Sequence, residues 1–265
     1  MLADAMQRQE ASDPERALGL VRMAAEKAPD RADIAWLYSQ LCAQVAGCQP
    51  ETAEARLRRL DPGNASVWLG PLTRAREAHD AAAENEILEA MSHGERFDVY
   101  WNSLVSKVAV VLSADTASQL GPQSPDLVTG NLNDAVGWIS SIVVPRFTAL
   151  SESCSTARMT NPAIAQRCSA ISEALGRGDS YIAESFGLAI AERLAAPGSR
   201  QAMTVAEQIR RSRYQRDTAG QIITSQVERE KFSREMLKLM ESLRREQDVF
   251  LAVIRWSGQP TEPTG

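Results

Sequence analysis

The sequence has few of the residues on which metal sites and the common catalytic motifs depend. Only two histidines, His79 and His93, occur among its 265 residues, and it contains no HExxH, GxSxG, P-loop or GxGxxG motif. None of its four cysteines forms a CxxC pair or lies beside a histidine in the sequence, so a zinc site has little support. We therefore predict no catalytic residues, no metal site and no cofactor.

Basic charge and long apolar runs are also scarce. The formal net charge is -5, which argues against a general nucleic-acid binder because phosphate neutralisation needs clustered lysine and arginine. No stretch approaches 18 consecutive apolar residues, so we predict no membrane span. The residues after Met1 lack the basic and apolar regions of a signal peptide. The chain is therefore either cytoplasmic or a mature protein whose signal peptide has been removed.

The four cysteines fall into two local pairs, Cys42 with Cys48 and Cys154 with Cys168. Locally paired cysteines in even number favour disulfides and an oxidising compartment, so we predict a periplasmic or secreted protein. Four buried thiols in a cytoplasmic protein are the alternative. Asn161-Pro162, a helix-capping pair midway between Cys154 and Cys168, predicts a turn that brings the two sulfurs together. Closing that loop would stabilise the fold by roughly 3 kcal/mol.

Tryptophans at a regular interval are the strongest pattern that is present. Trp36, Trp68 and Trp101 are 32 and 33 residues apart, and Trp138 follows 37 residues later. A period in the low thirties indicates stacked helical hairpins, since one hairpin cannot bury its apolar face alone. We predict that these four tryptophans are core residues; the alternative is a set of aromatic platforms for a glycan or a peptide.

The residues between the tryptophans point to one type of repeat. Four residues have the spacing of the second helix and closing proline of a tetratricopeptide repeat: Ala17, Val21, Ala24 and Pro29. The next unit repeats the helical part of this set: Ala83, Ile87 and Ala90. Residues 60–68, with Asp61-Pro62-Gly63, are similar to the junction between two repeats. Residues 14–111 thus resemble degenerate tetratricopeptide repeats, although Pro71 and Glu95 depart from the pattern.

The predicted fold class is all-α: stacked antiparallel helical hairpins in a tetratricopeptide-like superhelix, with a less regular helical second half. We predict four regions: helical repeats over 1–112, a linker or long loop over 113–133, a second helical region packed on the first over 134–257, and a disordered tail over 258–265. The prediction of a linker rests on the helix breakers Gly121-Pro122, Ser124-Pro125 and Gly130-Asn131. The prediction of a disordered tail rests on Pro260, Pro263 and their small polar neighbours.

A long amphipathic helix is predicted from about Gln221 to Trp256. Its apolar stripe is broad and includes the following residues: Phe232, Met236, Leu239, Leu243, Phe250 and Ile254. A helix with so wide an apolar face needs partners on more than one side. Those partners are either other helices of this chain or a second copy of it, which would make a homodimer.

The densest basic cluster is the candidate binding site. It consists of Arg210, Arg211, Arg213, Tyr214 and Arg216. Arginine offers bidentate geometry to a carboxylate, so the cluster is suited to an acidic partner. The alternative is a solvated helix face whose arginines pair with nearby acidic side chains.

The resemblance implies scaffolding or peptide docking. We therefore expect a non-enzymatic protein–protein interaction module that presents a helical groove to a protein or peptide partner, with an envelope inhibitor or immunity protein as the sharper version. The rival hypothesis is a helical envelope hydrolase that cleaves cell-wall glycan or peptide through a carboxylate in a cavity. A cavity carboxylate with a strongly raised pKa would favour the hydrolase, and an open groove without one would favour the binder.

Overall fold

The protein is built almost wholly from α-helices. The computed structural model describes residues 14–120, 127–143, 145–226 and 230–263. Helices account for 77% of the residues in those ranges, and the only sheet-like pairing there is an isolated bridge between Asn64 and Arg96. The all-α prediction is confirmed, while the superhelical stacking of the hairpins stays a prediction.

Short helices form the first part of the chain. They are α1 Pro14–Lys27, α2 Ala32–Cys42, α3 Glu51–Leu60, α4 Leu69–Glu77 and α5 Ala81–Ser92, with a 3₁₀ turn Ala65–Trp68 leading into α4. Helix α2 packs on both α1 and α3, and α4 packs on α5. The Asp80 side chain caps α5 by accepting from the backbone N–H groups of Ala82 and Ala83, as expected for an aspartate at this position.

Helices of more varied length form the rest. They are α6 Trp101–Leu120, α7 Leu127–Val143, α8 Thr148–Ser153, α9 Pro162–Gly176, α10 Tyr181–Leu194, α11 Arg200–Gln226, α12 Glu230–Ser242 and α13 Glu246–Trp256. Helices α6 and α7 pack on each other and both contact α12, and α7 also contacts α2. Helix α9 packs on α5 and α10, α10 on α11, and α11 on α13. One continuous apolar core therefore runs through both parts of the chain.

The predicted linker over 113–133 is wrong where the structure describes it. Residues 113–120 belong to α6 and residues 127–133 to α7, while the breakers within 121–126 lie outside the described residues. Gly130 in a helix costs about 1 kcal/mol relative to alanine. The hairpin offsets that cost because Leu112, Leu132, Ala135 and Ile139 are all buried in it.

The predicted continuous helix from Gln221 to Trp256 is also wrong. The chain leaves the helical path between α12 and α13, where Arg244 donates to the carboxylate of Asp98 and to the carbonyl oxygen of Arg177. Contacts with other loops thus outweigh the local helical preference. The apolar stripe nevertheless packs within the chain, since Met236 and Ile254 are buried and the other stripe residues lie partly buried against the core.

The predicted disordered tail lies instead along α11 over residues 258–263. Gly258 has a φ of +73°, a left-handed conformation that glycine adopts without strain. The chain thereby turns back after α13, and the Tyr214 hydroxyl donates to the carbonyl oxygen of Pro260 at 3.0 Å. The prediction failed because composition alone does not show that a neighbouring helix holds the segment. Residues 264–265 lie outside the described part of the chain.

Both predicted cysteine pairings are confirmed. The sulfurs are 2.00 Å apart in Cys42–Cys48 and 1.97 Å apart in Cys154–Cys168. Gly47, with a φ of +79°, makes the turn between Cys42 and Cys48. The Cys154 and Cys168 side chains are fully buried, so the second disulfide is part of the core.

The predicted tryptophan core is confirmed in full only for Trp36, which is 1% exposed. Trp68, Trp101 and Trp138 are half-buried and pack against the edge of the core. The Arg58 guanidinium lies over the Trp68 ring, 4.8 Å from its centroid, which is a cation–π geometry. The regular tryptophan spacing therefore marks helix–helix contacts, but three of the four rings keep one side near solvent.

Candidate functional site

An apolar groove opens between the first two helices and α6, and we call it the α2–α6 groove. It encloses about 170 Å³. Its apolar walls consist of Val21, Ala24, Ile34, Leu37, Leu104, Val108, Val111 and Leu112. On α6 these residues recur every three or four positions, so helical periodicity lines them along one face. Val111 is 46% exposed and stands at the mouth of the groove.

A cluster of charged side chains borders the same groove. The Asp33 carboxylate accepts bonds from Arg31 Nε at 2.8 Å, Lys107 Nζ at 2.7 Å and Ser103 Oγ at 3.0 Å. Burial of Asp33 opposes its ionisation, but the hydrogen bonds from Arg31 and Lys107 outweigh burial and hold the pKa of Asp33 well below its ordinary value. The rim therefore combines two cations with one anion and has a net positive charge.

A second cavity, of about 630 Å³, lies beside the Cys42–Cys48 disulfide. Arg74 forms part of its wall and donates to both carboxylate oxygens of Glu54, at 2.9 and 2.5 Å. Gly70 makes this approach possible, since a Cβ atom there would lie 2.1 Å from Glu54 Oε1. The Glu54 carboxylate is thus already neutralised by Arg74.

The predicted basic cluster lies on α11, and most of its arginines already have acidic partners. Arg210 pairs with Glu207 and Arg211 with Glu262, while Arg216 lies 3.5 Å from Asp217. Within the described ranges Arg213 has no ion pair; it lines an open cavity of about 610 Å³ together with Arg210 and Tyr214. The alternative of a solvated, internally paired face therefore accounts for three of the four arginines.

Three loops meet at a buried junction between the two parts of the chain. They are residues 93–100 before α6, residues 177–180 before α10 and residues 243–245 before α13, and we call their meeting point the three-loop junction. Asp179 accepts from the backbone N–H groups of Val99 at 2.9 Å and Trp101 at 3.0 Å. Asp98, beside it, is paired with Arg96 and Arg244. The junction thus caps α6 with a carboxylate from a distant loop.

Two carboxylates with raised pKa values belong to this region. Burial, followed by the nearby charge of Asp98, raises the pKa of Asp179 to about 7. Burial also raises the pKa of Glu246 to about 7, against the effect of a 2.7 Å hydrogen bond from the Tyr181 backbone N–H. Both carboxylates are bound to backbone amides, and neither lines the cavities described above.

The histidines and cysteines in the described ranges do not form a catalytic or metal-binding cluster. His79 and His93 are both exposed, with His93 3.2 Å from Glu89, and all four cysteines are bonded in disulfides. Over the same ranges no group of three or more metal-ligating side chains comes together. None of the helices seen there has the length and apolar character to cross a membrane.

Sequence reasoning did not point to Asp33 or Lys107, and it assigned Asp179 no buried role. Asp33 and Lys107 are 74 residues apart, and no local pattern connects them. Asp179 had a readable signal, because it follows Gly178 in a Gly-Arg-Gly-Asp stretch. A Cβ atom at Gly178 would lie 2.5 Å from the carbonyl oxygen of Phe97, so glycine there marks the close approach of two loops.

Comparisons of the chain with models of protein families, with curated proteins and with solved structures find no match.

Proposed function

We propose that this protein is a non-enzymatic interaction module that binds a polypeptide segment in the α2–α6 groove. The observation that carries the proposal is the combination of an apolar groove with charged side chains in its lining. The walls are almost entirely aliphatic, as in grooves that receive the apolar side chains of a peptide. A groove of about 170 Å³ has room for one or two such side chains.

The rim defines the partner further. The side chains of Arg31 and Lys107 are 41% and 51% exposed, whereas that of Asp33, which they share, is 7% exposed. Both cations therefore keep free surface for a second carboxylate. Their combined attraction for a carboxylate that approaches from solvent exceeds the repulsion from Asp33. The preferred segment carries an apolar side chain with a carboxylate close to it.

The resemblance to tetratricopeptide repeats is part of the same proposal. In that reading α2 and α3 form one helical hairpin, α4 and α5 the next, and α6 opens a third. Support comes from the packing of α2 on α3 and of α4 on α5. The tryptophans also fall at comparable places, with Trp36 inside α2, Trp68 directly before α4 and Trp101 at the start of α6. Such hairpins present grooves of this kind.

The hydrolase hypothesis has less support. It requires a carboxylate with a raised pKa inside a cavity, as a general acid would have. The cavity carboxylate whose pKa is strongly shifted is Asp33, and its shift is downward. Asp179 and Glu246, whose pKa values are raised, are bonded to backbone amides at the N-terminal ends of α6 and α10.

The proposal also places the protein in the cell envelope or outside the cell. Its support is the pair of disulfides, which persist in oxidising compartments and are rare in the reducing cytoplasm. An envelope inhibitor or immunity protein would combine this location with a polypeptide partner. A homodimer through the C-terminal helices stays a prediction, and the packing of their apolar stripe within the chain favours a monomer.

Two adjacent valines of α6 give a matched test of the groove. Val111 lines the groove, whereas Val110, which is 41% exposed, does not. We expect the wild-type chain to select displayed random peptides that combine an apolar residue with Asp or Glu. Val111→Asp should abolish their binding and Val110→Asp should preserve it, with melting temperatures unchanged in both variants because both positions are exposed. Equal binding by the two variants, or no selection by the wild type, would refute the proposal.

A further inference from the structure

The C-terminal tail lies on α11 in the manner of a bound peptide. After α13 the backbone N–H groups of Gly258 and Gln259 donate to the carbonyl oxygens of Arg255 and Ile254, at 3.1 and 3.3 Å. Gly258, with its φ of +73°, then directs the chain back. Because α13 packs on α11, this turn carries residues 259–263 across the α11 surface.

Three side chains of α11 hold the tail, and they contact two kinds of group. The Tyr214 hydroxyl donates to the carbonyl oxygen of Pro260, and Gln215 Nε2 donates to that of Thr261, both at 3.0 Å. Arg211 Nε donates to Glu262 Oε2 at 2.8 Å. The first two contacts recognise main chain and accept many sequences, whereas the third requires a carboxylate.

The holding residues are built into the helix surface, but the contacts of Arg211 and Tyr214 with the tail are open to solvent, and that of Gln215 is part-buried. Gln215 is 9% exposed, so packing fixes the direction of its amide. The side chains of Arg211 and Glu262 are 50% and 55% exposed. Exposed contacts of this kind are individually weak. A segment with the same groups therefore has the means to exchange with the tail.

The surface beside the tail has room and charge for a longer ligand. The cavity of about 610 Å³ that Pro263 borders is also lined by Arg210, Arg213 and Asp217, and Arg210 is paired with Glu207. Arg213 makes no ion pair in the part of the chain that the structure describes. A segment that continued past Glu262 into this cavity would place a further carboxylate against Arg213.

We propose that Arg211, Tyr214 and Gln215 form a recognition site for an extended, acidic, proline-containing segment of another protein, and that the tail occupies this site in cis. The partner segment has the chemistry of the tail: two main-chain carbonyl groups presented in an extended conformation by proline, followed by a glutamate. This site is separate from the α2–α6 groove and stands whether or not the groove binds a peptide. Binding of the partner displaces the tail and exposes residues 259–263.

The test displaces the tail without altering the site. In Gly258→Val the valine disfavours the left-handed conformation, so the tail is directed away from α11. A labelled peptide with the sequence of residues 257–263 is titrated into the full wild-type chain and into this variant, with fluorescence anisotropy as the readout. We expect the affinity to rise about tenfold or more in Gly258→Val, because an intramolecular competitor at millimolar effective concentration has been removed.

Matched substitutions assign the gain to the site. Adding Arg211→Gln to Gly258→Val should cancel the gain, and adding Arg216→Gln should leave it intact, since Arg216 lies beside Asp217 and not beside the tail. Glu262→Gln in the full chain keeps the backbone turn and should give a smaller gain in the same direction. The proposal fails if Gly258→Val binds the peptide no better than the wild type, if Arg211→Gln leaves the gain unchanged, or if the variant dimerises without binding the peptide.

Discussion

At the scale of the residue, buried carboxylates fall into two groups according to what stabilises their charge. Asp33 is hydrogen-bonded by two cationic side chains, which hold its pKa well below its ordinary value. Asp179 and Glu246 receive backbone N–H groups instead, and burial raises the pKa of each to about 7. Opposite charges close to Asp33 favour its ionised form, whereas burial of Asp179 and Glu246 favours their neutral forms. The pKa values of these carboxylates therefore shift in opposite directions.

Replacing tryptophans by alanine tests whether the contribution of a side chain to stability follows its burial. Trp36→Ala should lower the free energy of unfolding by about 3–5 kcal/mol, the range for large-to-small changes in a core. Trp68→Ala should cost less, on the order of 1–3 kcal/mol, because the ring is half-buried and part of its contact is with the Arg58 guanidinium. Trp256, which is 51% exposed, serves as the control, and its replacement by alanine should change stability by less than about 0.5 kcal/mol.

Urea denaturation of the three variants measures these differences. The order Trp36, Trp68, Trp256 follows burial. A Trp68→Ala protein as unstable as Trp36→Ala would show that the half-buried ring belongs to the core in solution.

At the scale of the element, helix ends are set by contacts with other loops as much as by local sequence. Helix α12 ends before Arg244, whose guanidinium reaches Asp98, and α13 begins where the Glu246 backbone N–H donates to the carbonyl oxygen of Asp179 at 2.8 Å. The break turns α13 onto α11 while α12 remains on α6 and α7. The apolar surface that a straight helix would leave uncovered is thus divided between two sites in the core.

This division predicts the effect of removing α13. Val253 and Ile254 are fully buried and Val249 is 1% exposed, so deletion of Gln247–Gly265 uncovers their apolar partners on α11. We expect a clearly lower melting temperature, with the loss concentrated in the second half of the chain, because burial of each such side chain contributes about 1.5–3 kcal/mol.

Calorimetry and light scattering on the deleted and full chains decide between capping and docking. A deleted chain that melts like the full chain but changes its oligomeric state would assign α13 to an intermolecular interface.

At the scale of the whole molecule, local disulfides and long-range polar contacts have different roles. Each disulfide joins cysteines 6 or 14 residues apart and so secures one turn. The three-loop junction instead connects residues up to 146 positions apart, as in the contact of Arg244 with Asp98. Correct positioning of the two parts of the chain therefore depends on buried charges, and it should depend on pH.

The sign of that dependence follows from the raised pKa values. Asp179 and Glu246 bind a proton more tightly in the folded chain than in the unfolded chain. The stability that they contribute is fully present below about pH 4 and is lost as the pH rises through about 7. Asp33 acts in the opposite direction, since its lowered pKa contributes stability that is lost as the pH falls below about 4. We expect the melting temperature to decline between pH 5 and pH 8.

Glu246→Gln tests this expectation, since the glutamine oxygen can still accept from the Tyr181 backbone N–H but cannot ionise. The decline in unfolding free energy between pH 5 and pH 8 should become smaller by on the order of 1 kcal/mol. Glu241→Gln, at an exposed position of α12, is the matched control and should leave the pH profile unchanged. An identical decline in the wild type and in Glu246→Gln would show that Glu246 does not titrate in this range.

The sequence by itself determined the helical class, the two disulfide pairings and the capping of α9 by Asn161, because each depends on residues within a few turns of one another. Helical periodicity, the short separation of Cys42 from Cys48 and the Asn161-Pro162 pair are local signals, and the structure retains all three. Only the tertiary structure decided that residues 113–120 and 127–133 are helical, that the C-terminal helix breaks before Arg244 and that the tail lies on α11. Those outcomes depend on partners that are distant in the chain, Asp98 for Arg244 and Tyr214 for Pro260, and the free energy of such contacts is not encoded in the spacing of either residue alone.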